Sequence, residues 1–314
     1  MKTYLASRLA QALFVLWAAF TASFVLLQAM PGDAVLIKFQ NPDYGLSPEQ
    51  IAEIRSAYGA DGSILQQYFD TAGRFLTGDF GYSLQAGVSV ASQLSANIPP
   101  TLLLTALGFL AATILAFGIA VLANVPGLRR IRGVFVSAPS MLISVPTFWL
   151  GIMLIQIFSF RFRLVPVINP GPWQGLILPI LTVAVPISAP LAQILLKNID
   201  EVVTRPFVAV VRSKGASQAR VLWRHVIRNA SLPALTVAGL LFGELLTNAV
   251  ITETVFGLNG VGRLTKLAVD NEDVAVLQAI VVLSAAAFVI INLFVDLLYP
   301  VLDPRLRATP GAGR

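Results

Sequence analysis

The sequence predicts an all-α, polytopic membrane protein with about six transmembrane helices. Three observations predict it. Of 314 residues, 56% are hydrophobic and only 12% charged, with a mean hydropathy of +0.77, which leaves too little charge to cover a water-facing surface. Several apolar stretches exceed the roughly 18 residues that cross a bilayer. The basic residues, finally, collect on alternate connections between those stretches, as the positive-inside bias requires.

The first span is Leu9–Met30, preceded by Lys2 and Arg8. It is longer than the roughly 7 to 15 residues of a signal-peptide core and ends in Gln28-Ala29-Met30-Pro31-Gly32-Asp33 rather than a small-residue cleavage site. Residues 1–30 therefore read as a retained helix. Residues 31–99 form a polar segment, residues 100–300 hold five more spans, and 301–314 is a tail. Those five are Pro100–Ala123, Val134–Phe160, Leu176–Leu196, Leu232–Val255 and Val274–Tyr299. In lipid each satisfies its backbone only as a helix. With the N-terminus in the cytoplasm, Lys2, Arg8, Arg129, Arg130, Arg132, the basic residues of 197–231, Arg305, Arg307 and Arg314 lie inside. Lys38, Arg55, Arg74, Arg161, Arg163, Arg263 and Lys266 lie outside, a bias of about two to one. Both termini are then cytoplasmic.

The segment 31–99 is punctuated by Asn41-Pro42-Asp43, Ser47-Pro48-Glu49 and Thr77-Gly78-Asp79. Ser47-Pro48-Glu49-Gln50 reads as a helix start, a capping serine followed by proline at the first helical position. A connector of this length without structure is uncommon, so partial order is expected.

Residues 197–231 carry seven basic residues against only Asp200 and Glu201. Arg220, Arg224 and Arg228 recur every four residues and form one stripe of a helix, while Leu222, Trp223, Val226 and Ile227 occupy another sector. Gly215 separates this helix from an earlier piece whose apolar residues are Val203, Phe207, Val210 and Val211. From pattern alone, a basic amphipathic helix on anionic lipid and a docking element for a protein partner both fit.

Pro139, Pro146, Pro179, Pro186 and Pro190 fall in the third and fourth spans, where kinks open room for a pore or shape packing. Gly239 and Gly243, four apart, suit close helix contact. Two carboxylates lie in apolar runs. Asp296 sits near the cytoplasmic boundary and suits a salt bridge or snorkelling. Glu244, with Asn248 one turn on, either lines a hydrated translocation path or pairs with a partner subunit.

Cysteine is absent and His225 is the single histidine, so thiol chemistry and imidazole metal clusters are excluded, and no metal site is expected. No GxxxxGK[ST], HExxH or GxSxG motif occurs, which argues against P-loop ATP hydrolysis and hydrolase chemistry in this chain. Gly257-Leu258-Asn259-Gly260-Val261-Gly262 follows a span and precedes no βαβ unit, and reads as an external turn rather than a nucleotide site. The net basic charge reads as topology, not nucleic-acid binding.

The run Phe207-Val208-Ala209-Val210-Val211-Arg212-Ser213-Lys214-Gly215-Ala216-Ser217, continued by Leu222-Trp223-Arg224-His225-Val226-Ile227-Arg228-Asn229 and Leu232-Pro233, resembles the cytoplasmic coupling (EAA) loop of binding-protein-dependent ABC importer permeases. Ala209, Val210 and Val211 stand where that loop has Glu-Ala-Ala, and Gly215 matches its glycine. The pattern is similar to the dipeptide, oligopeptide and nickel branch. Met30-Pro31-Gly32-Asp33 with Gly78-Asp79-Phe80-Gly81-Tyr82-Ser83 supports the same resemblance. So do Ser144-Val145-Pro146-Thr147-Phe148-Trp149-Leu150-Gly151, Glu253-Thr254-Val255-Phe256 with Gly260-Val261-Gly262-Arg263, and Asn292 to Tyr299 with Leu302-Asp303-Pro304-Arg305. Glu244 departs from it, since the family usually has small residues there.

The resemblance implies the transmembrane domain of a type I ABC importer in a bacterial cytoplasmic (inner) membrane. Its partners would be a homologous second permease subunit, two cytoplasmic ATP-binding subunits, separate or fused, an external (periplasmic) solute-binding protein and membrane lipid, with no nucleic acid. This chain would be non-catalytic and hold no cofactor, ATP and Mg belonging to the partner ATPases. The coupling loop would be Ala209, Val210, Val211, Arg212, Lys214, Gly215, Ala216, Ser217, Leu222, Trp223, Arg224, His225 and Val226. Leu222, Trp223, Val226 and Ile227 would supply apolar docking area, Glu244 and Asn248 the path, and Asp70 and Tyr82 contacts to the binding protein. Peptide is the expected substrate. Nickel complexes or glutathione-like substrates belong to close relatives, and a gradient-driven secondary transporter is the rival outside the family.

Overall fold

The computed structural model describes residues 2–28, 47–50, 62–83 and 85–302. In chain order it builds α1 (Lys2–Gln28), α2 (Ile64–Leu76), a hairpin of β1 (Tyr82–Ser83) and β2 (Val88–Ser89), and α3 (Val90–Leu122). A 3₁₀ turn, Pro126–Ile131, leads into α4 (Arg132–Ile143) and α5 (Thr147–Leu154), which continues as a π-helical turn, Ile155–Arg161. There follow α6 (Gln174–Val203), α7 (Pro206–Ser213), α8 (Gln218–Val221) with a second π-helical turn, Leu222–Val226, then α9 (Ile227–Phe256), α10 (Val261–Asp270) and α11 (Val274–Leu302). Among the described residues, five helical stretches are long and apolar enough to cross a membrane: Ser7–Leu27, Val90–Leu122, Gln174–Val203, Val237–Phe256 and Val274–Phe294. The pair Arg132–Ile143 and Thr147–Arg161 makes a sixth if counted as one span, bent by 104°.

The chain divides into two compact units, residues 1–100 with 259–290, and residues 101–258 with 291–314. In the first, Val90 and Leu94 of α3 bury against Leu264 and Ala268 of α10 and Val276, Ala279 and Ile280 of α11. Phe20 and Phe24 of α1 meet Tyr68 and Phe75 of α2 edge-on, with centroids 5.3 to 5.4 Å apart. Thr21 and Tyr68 share a hydroxyl hydrogen bond of 2.8 Å. The hairpin pairs Tyr82 with Ser89 and Ser83 with Val88, and Ser83 Oγ donates to the buried Asp273 carboxylate. The Asp273 Oδ1 atom also accepts from the Val276 amide at 3.4 Å, so this carboxylate caps α11.

In the second unit α6 is central, packing on α4, α5 and α9. Val183, Ile187, Ala192, Leu195 and Ile199 of α6 are at most 2% exposed and join Leu104, Ala112 and Ala116 of α3 and Leu245 of α9 in one core. A Cβ at Gly151 would stand 3.3 Å from Thr182, Val255 and Phe256, so the absence of a side chain there sets how closely α5 approaches its neighbours.

The structure corrects two of these expectations. The span expected at Pro100 begins ten residues earlier, at Val90, and runs through Pro99 and Pro100. Seryl and asparaginyl side chains bond backbone carbonyls of that first stretch, Ser95 to Ser92 at 2.8 Å and Asn97 to Gln93 at 2.8 Å. The span Val134–Phe160 is not straight: it breaks before Pro146, whose extended backbone (ψ 134°) ends the helix, since proline lacks the N–H and disfavours helix at Val145. Pro139, Pro179, Pro186 and Pro190, by contrast, sit inside unbroken helices. The helix start at Ser47 is present, with the Ser47 amide donating to Gln50 Oε1 at 2.8 Å and the Gln50 amide to Ser47 Oγ at 3.3 Å, a reciprocal capping box. Met30 to Asp33, the Asn41-Pro42-Asp43 turn, the tail from Asp303 and the Asp296 side chain lie outside the described residues.

At the end of α10, Glu272 occupies the left-handed region (φ 54°). The Glu272 amide donates to Val269 O at 3.2 Å and the Asp273 amide to Ala268 O at 2.8 Å, the paired bonds of a Schellman cap, whose left-handed position ordinarily takes glycine. The Glu272 side chain is exposed. Glu272→Gly should therefore stabilise the protein by about 1 kcal/mol, read as a higher melting temperature of the detergent-solubilised chain, with Glu272→Ala unchanged as the control.

Candidate functional site

The basic stretch folds as helix, turn, helix. Pro206 at the first helical position starts α7. At its end the Gly215 amide donates to Arg212 O at 2.9 Å and the Ala216 amide to Val211 O at 3.4 Å, a Schellman cap with Gly215 left-handed at φ 82°. Ser217 then caps α8, its hydroxyl accepting from the Arg220 amide at 3.3 Å. A Cβ on Gly215 would meet nothing within 4 Å, so the glycine is demanded by backbone conformation, not by crowding.

Two acidic residues serve this stretch, and both are engaged: Asp200 with Arg132 at 2.6 Å and Glu201 with Arg205 at 2.8 Å. Arg212, Lys214, Arg220, Arg224 and Arg228 are exposed and, among the described residues, face no carboxylate within salt-bridge distance. Around them Trp223 is 60% exposed, Val210 52% and Phe207 38%. Ala209, Lys214, Gly215 and Ser217 are exposed, Val211, Ala216 and His225 half-buried.

The expected apolar docking sector is corrected. Leu222 and Val226 turn inward with Val221 and Ala230 and join the core beside Val202 and Val208, Ile227 is half-buried, and only Trp223 of the four stays out. An apolar face next to its own chain's helices buries there first. The Asn198 amide of α6 donates to Ala230 O at the start of α9 at 3.2 Å, just beyond this element.

Along α9 the polar residues separate by face. Leu241, Leu245, Asn248, Ala249, Thr252 and Glu253 are buried, whereas Leu240, Glu244, Thr247 and Thr254 are exposed. Asn248 is thus parted from Glu244: it is 7% exposed, accepts from Thr147 Oγ1 at 2.6 Å and donates to the Glu244 backbone carbonyl at 3.0 Å. It clasps the first residue after the Pro146 break to α9. Glu253 is 1% exposed and accepts from Thr101 Oγ1 of α3 at 2.6 Å. The sequence reads this carboxylate only as part of a motif, although its spacing of four from Ala249, itself buried, sets it on the inward face.

On the other unit, Asp70 is exposed on α2. Tyr82 is 46% exposed, with its hydroxyl donating to Gly87 O. The turn Gly257 to Gly262 is a left-handed cap at Gly257 (φ 65°) followed by the start of α10. Among the described residues no three His, Asp or Glu are grouped to hold a metal ion.

A bundle of spanning helices with a compact basic element between α6 and α9 defines a multi-pass transport permease. Residues 108–308 match the family of binding-protein-dependent transport system inner membrane components, and the chain belongs to that family, which makes it an ABC-importer permease. It is 33% identical over 98% of its length, and the whole of the other protein, to the probable peptide ABC transporter permease protein y4tP of Sinorhizobium fredii. It is 32% identical over 98% of its length and 99% of the other to the glutathione transport system permease protein GsiC of Escherichia coli strain K12. A solved chain of the MetNI methionine ABC transporter shares the fold, with a TM-score of 0.56 at 15% identity over 67% of this chain and 96% of that one.

The Thr101–Glu253 bond is testable apart from function. Thr101→Val removes a donor from a buried carboxylate and should cost about 1–3 kcal/mol, seen as a lower melting temperature in detergent, while Thr101→Ser keeps the hydroxyl and should lose little. Equal loss in both variants would assign the effect to packing.

Proposed function

We propose that this chain is a non-catalytic permease subunit that imports short peptides, including glutathione-like ones, driven by ATP hydrolysis in partner subunits. The observation that carries the reading is the helix, Schellman turn, helix of residues 206–226, with its acidic residues engaged elsewhere and five exposed cations left around Trp223. A surface that is rigid, basic and centred on one exposed tryptophan suits a groove with acidic walls, because aromatic anchors carry docking energy and unpaired charge selects the partner. Two cytoplasmic ATP-binding subunits holding ATP and Mg, a homologous permease and an external binding protein complete the proposed complex. The positive-inside bias favours cytoplasmic termini, with 206–226 on the ATPase side and Asp70 and Tyr82 toward the binding protein. The substrate class rests on the relatives named for peptide and glutathione transport. Purifying the chain from its native membrane tests the assembly: ATPases and a second permease should co-elute, and their absence would sink the reading.

Glu244 is the path residue we propose, since it is exposed on α9 in the middle of a span where a charge is kept only if hydrated or paired. Glu244→Gln should lower uptake of cationic and zwitterionic peptides relative to anionic ones with the complex intact. Uptake unchanged across that panel would assign Glu244 to subunit packing.

Gly215→Val should separate assembly from coupling. Any L side chain at this left-handed position costs about 1–2 kcal/mol, enough to shift the turn's population about tenfold, and a β-branched one is worse placed still. Membrane insertion should be unchanged and ATP-driven import should fall about tenfold. Wild-type import with both ATPases bound would remove Gly215 from the coupling device.

A further inference from the structure

We propose that α2 is an interfacial helix, sunk in the leaflet at the Gln28 end of α1, with Leu65, Phe69 and Leu76 among the acyl chains. The inference rests on the reading of α1 as a membrane span.

The helix is defined at both ends. Ser63 Oγ accepts from the Gln66 amide at 3.3 Å, and after Leu76 the Gly78 amide donates to Phe75 O at 3.1 Å and the Asp79 amide to Arg74 O at 3.0 Å, with Gly78 left-handed at φ 80°. At 13 residues it is about 20 Å long at about 1.5 Å per residue, too short to cross an apolar core of about 30 Å. It has three sectors. Tyr68 and Phe75 pack on Phe20 and Phe24 of α1. Gln66, Asp70, Gly73 and Arg74 form an exposed polar sector. Leu65, Phe69, Ala72 and Leu76, spaced by four, three and four, make a stripe between them, in which Leu65 is 71%, Phe69 67% and Leu76 90% exposed.

Depth decides what covers that stripe. The apolar window of α1 ends at Leu27, and Thr21, bonded to Tyr68 at 2.8 Å, lies about 9 Å before it along the helix axis. The outer faces of α1 continue the same surface: Leu13 is 60%, Phe14 63% and Leu26 69% exposed. A helix held against α1 at that level has its open apolar side level with acyl chains, and the depth agrees with the roughly 5–10 Å to which interfacial amphipathic helices bury. Water is the less favourable neighbour for three large apolar side chains, and a protein partner would have to enter the bilayer to reach them. The polar sector then points to the aqueous side, where Asp70 is available to a binding protein.

The chain has no cysteine, so single-cysteine variants can carry a nitroxide without background in this subunit. The complex, built with cysteine-free partners and labelled in phosphatidylethanolamine/phosphatidylglycerol nanodiscs, is read by collision with oxygen, which concentrates in acyl chains, and with a nickel chelate, which stays in water. Positions 65, 69 and 76 should favour oxygen several-fold over positions 66, 70 and 73, which should favour nickel. Access to nickel at all six positions overturns the proposal in favour of a water-exposed helix, and shielding of 65, 69 and 76 from both quenchers overturns it in favour of a covering protein. Leu13 and Phe14 serve as standards: oxygen access there with none at α2 sinks the interfacial helix alone, whereas nickel access there takes the spanning reading of α1 down with it.

Discussion

A bilayer offers no hydrogen bonds, and each N–H or C=O the chain carries into it must be answered from within the chain. The architecture follows from that constraint wherever the helices depart from regularity. At Pro146 the break leaves a helix start inside a span, and the polar groups around it are engaged locally: Ser144 Oγ bonds Ser140 O at 2.8 Å, and Thr147 Oγ1 bonds Asn248 at 2.6 Å. Hydroxyls elsewhere turn back to their own helices, Thr105 to Thr101 O and Thr182 to Leu178 O at 2.8 and 2.9 Å. The helices on either side of the break lie at 104° to one another.

The basic element and the membrane helices form one mechanical piece. From the Ser217 cap through the π-helical turn Leu222–Val226 and on to Phe256, the chain is continuously helical. It is tied laterally by the inward Leu222 and Val226, by Asn198 to Ala230 O, by Thr147 to Asn248 and by Thr101 to Glu253. Trp223 and Glu253 are about 45 Å apart along such a rod. The irregular connection at Gly215 lies before this helix begins. The π turn, with its looser hydrogen-bond ring, sits where that rod leaves the basic surface.

What was legible in the sequence and what was not follow from the range of the forces involved. Apolar runs and capping residues act within a turn or two of chain, and five spans, the Ser47 capping box and the glycine break at 215 could all be read directly. The bend at Pro146 could not be separated from the unbroken helices around Pro179, Pro186 and Pro190, because whether a proline breaks a helix depends on neighbours far away in sequence. The start of α3 at Val90 was hidden for the same reason: Val90 and Leu94 are helical against α10 and α11, not because their own stretch is apolar. At 222–227 a helical wheel gives which residues share a face, but not which of two apolar surroundings claims it, and Leu222 and Val226 belong to the chain's own core.

The two glutamates of α9 carry that distinction furthest. Both interrupt one apolar span, yet Glu253 falls one turn past the buried Ala249 and accepts a threonine hydroxyl, while Glu244 falls on the face shared with Leu240 and Thr247. A buried carboxylate supplied with a donor joins helices and is lost to solution chemistry. An exposed one in the same helix requires water or a partner group beside it, since lipid would expel or neutralise it. Under the function proposed above, the face of α9 carrying Glu244 is not a lipid face, and coupling and passage meet on a single helix. Its inward side holds the subunit together through Leu245, Asn248 and Glu253, and its outward side is left for what lies beyond this chain.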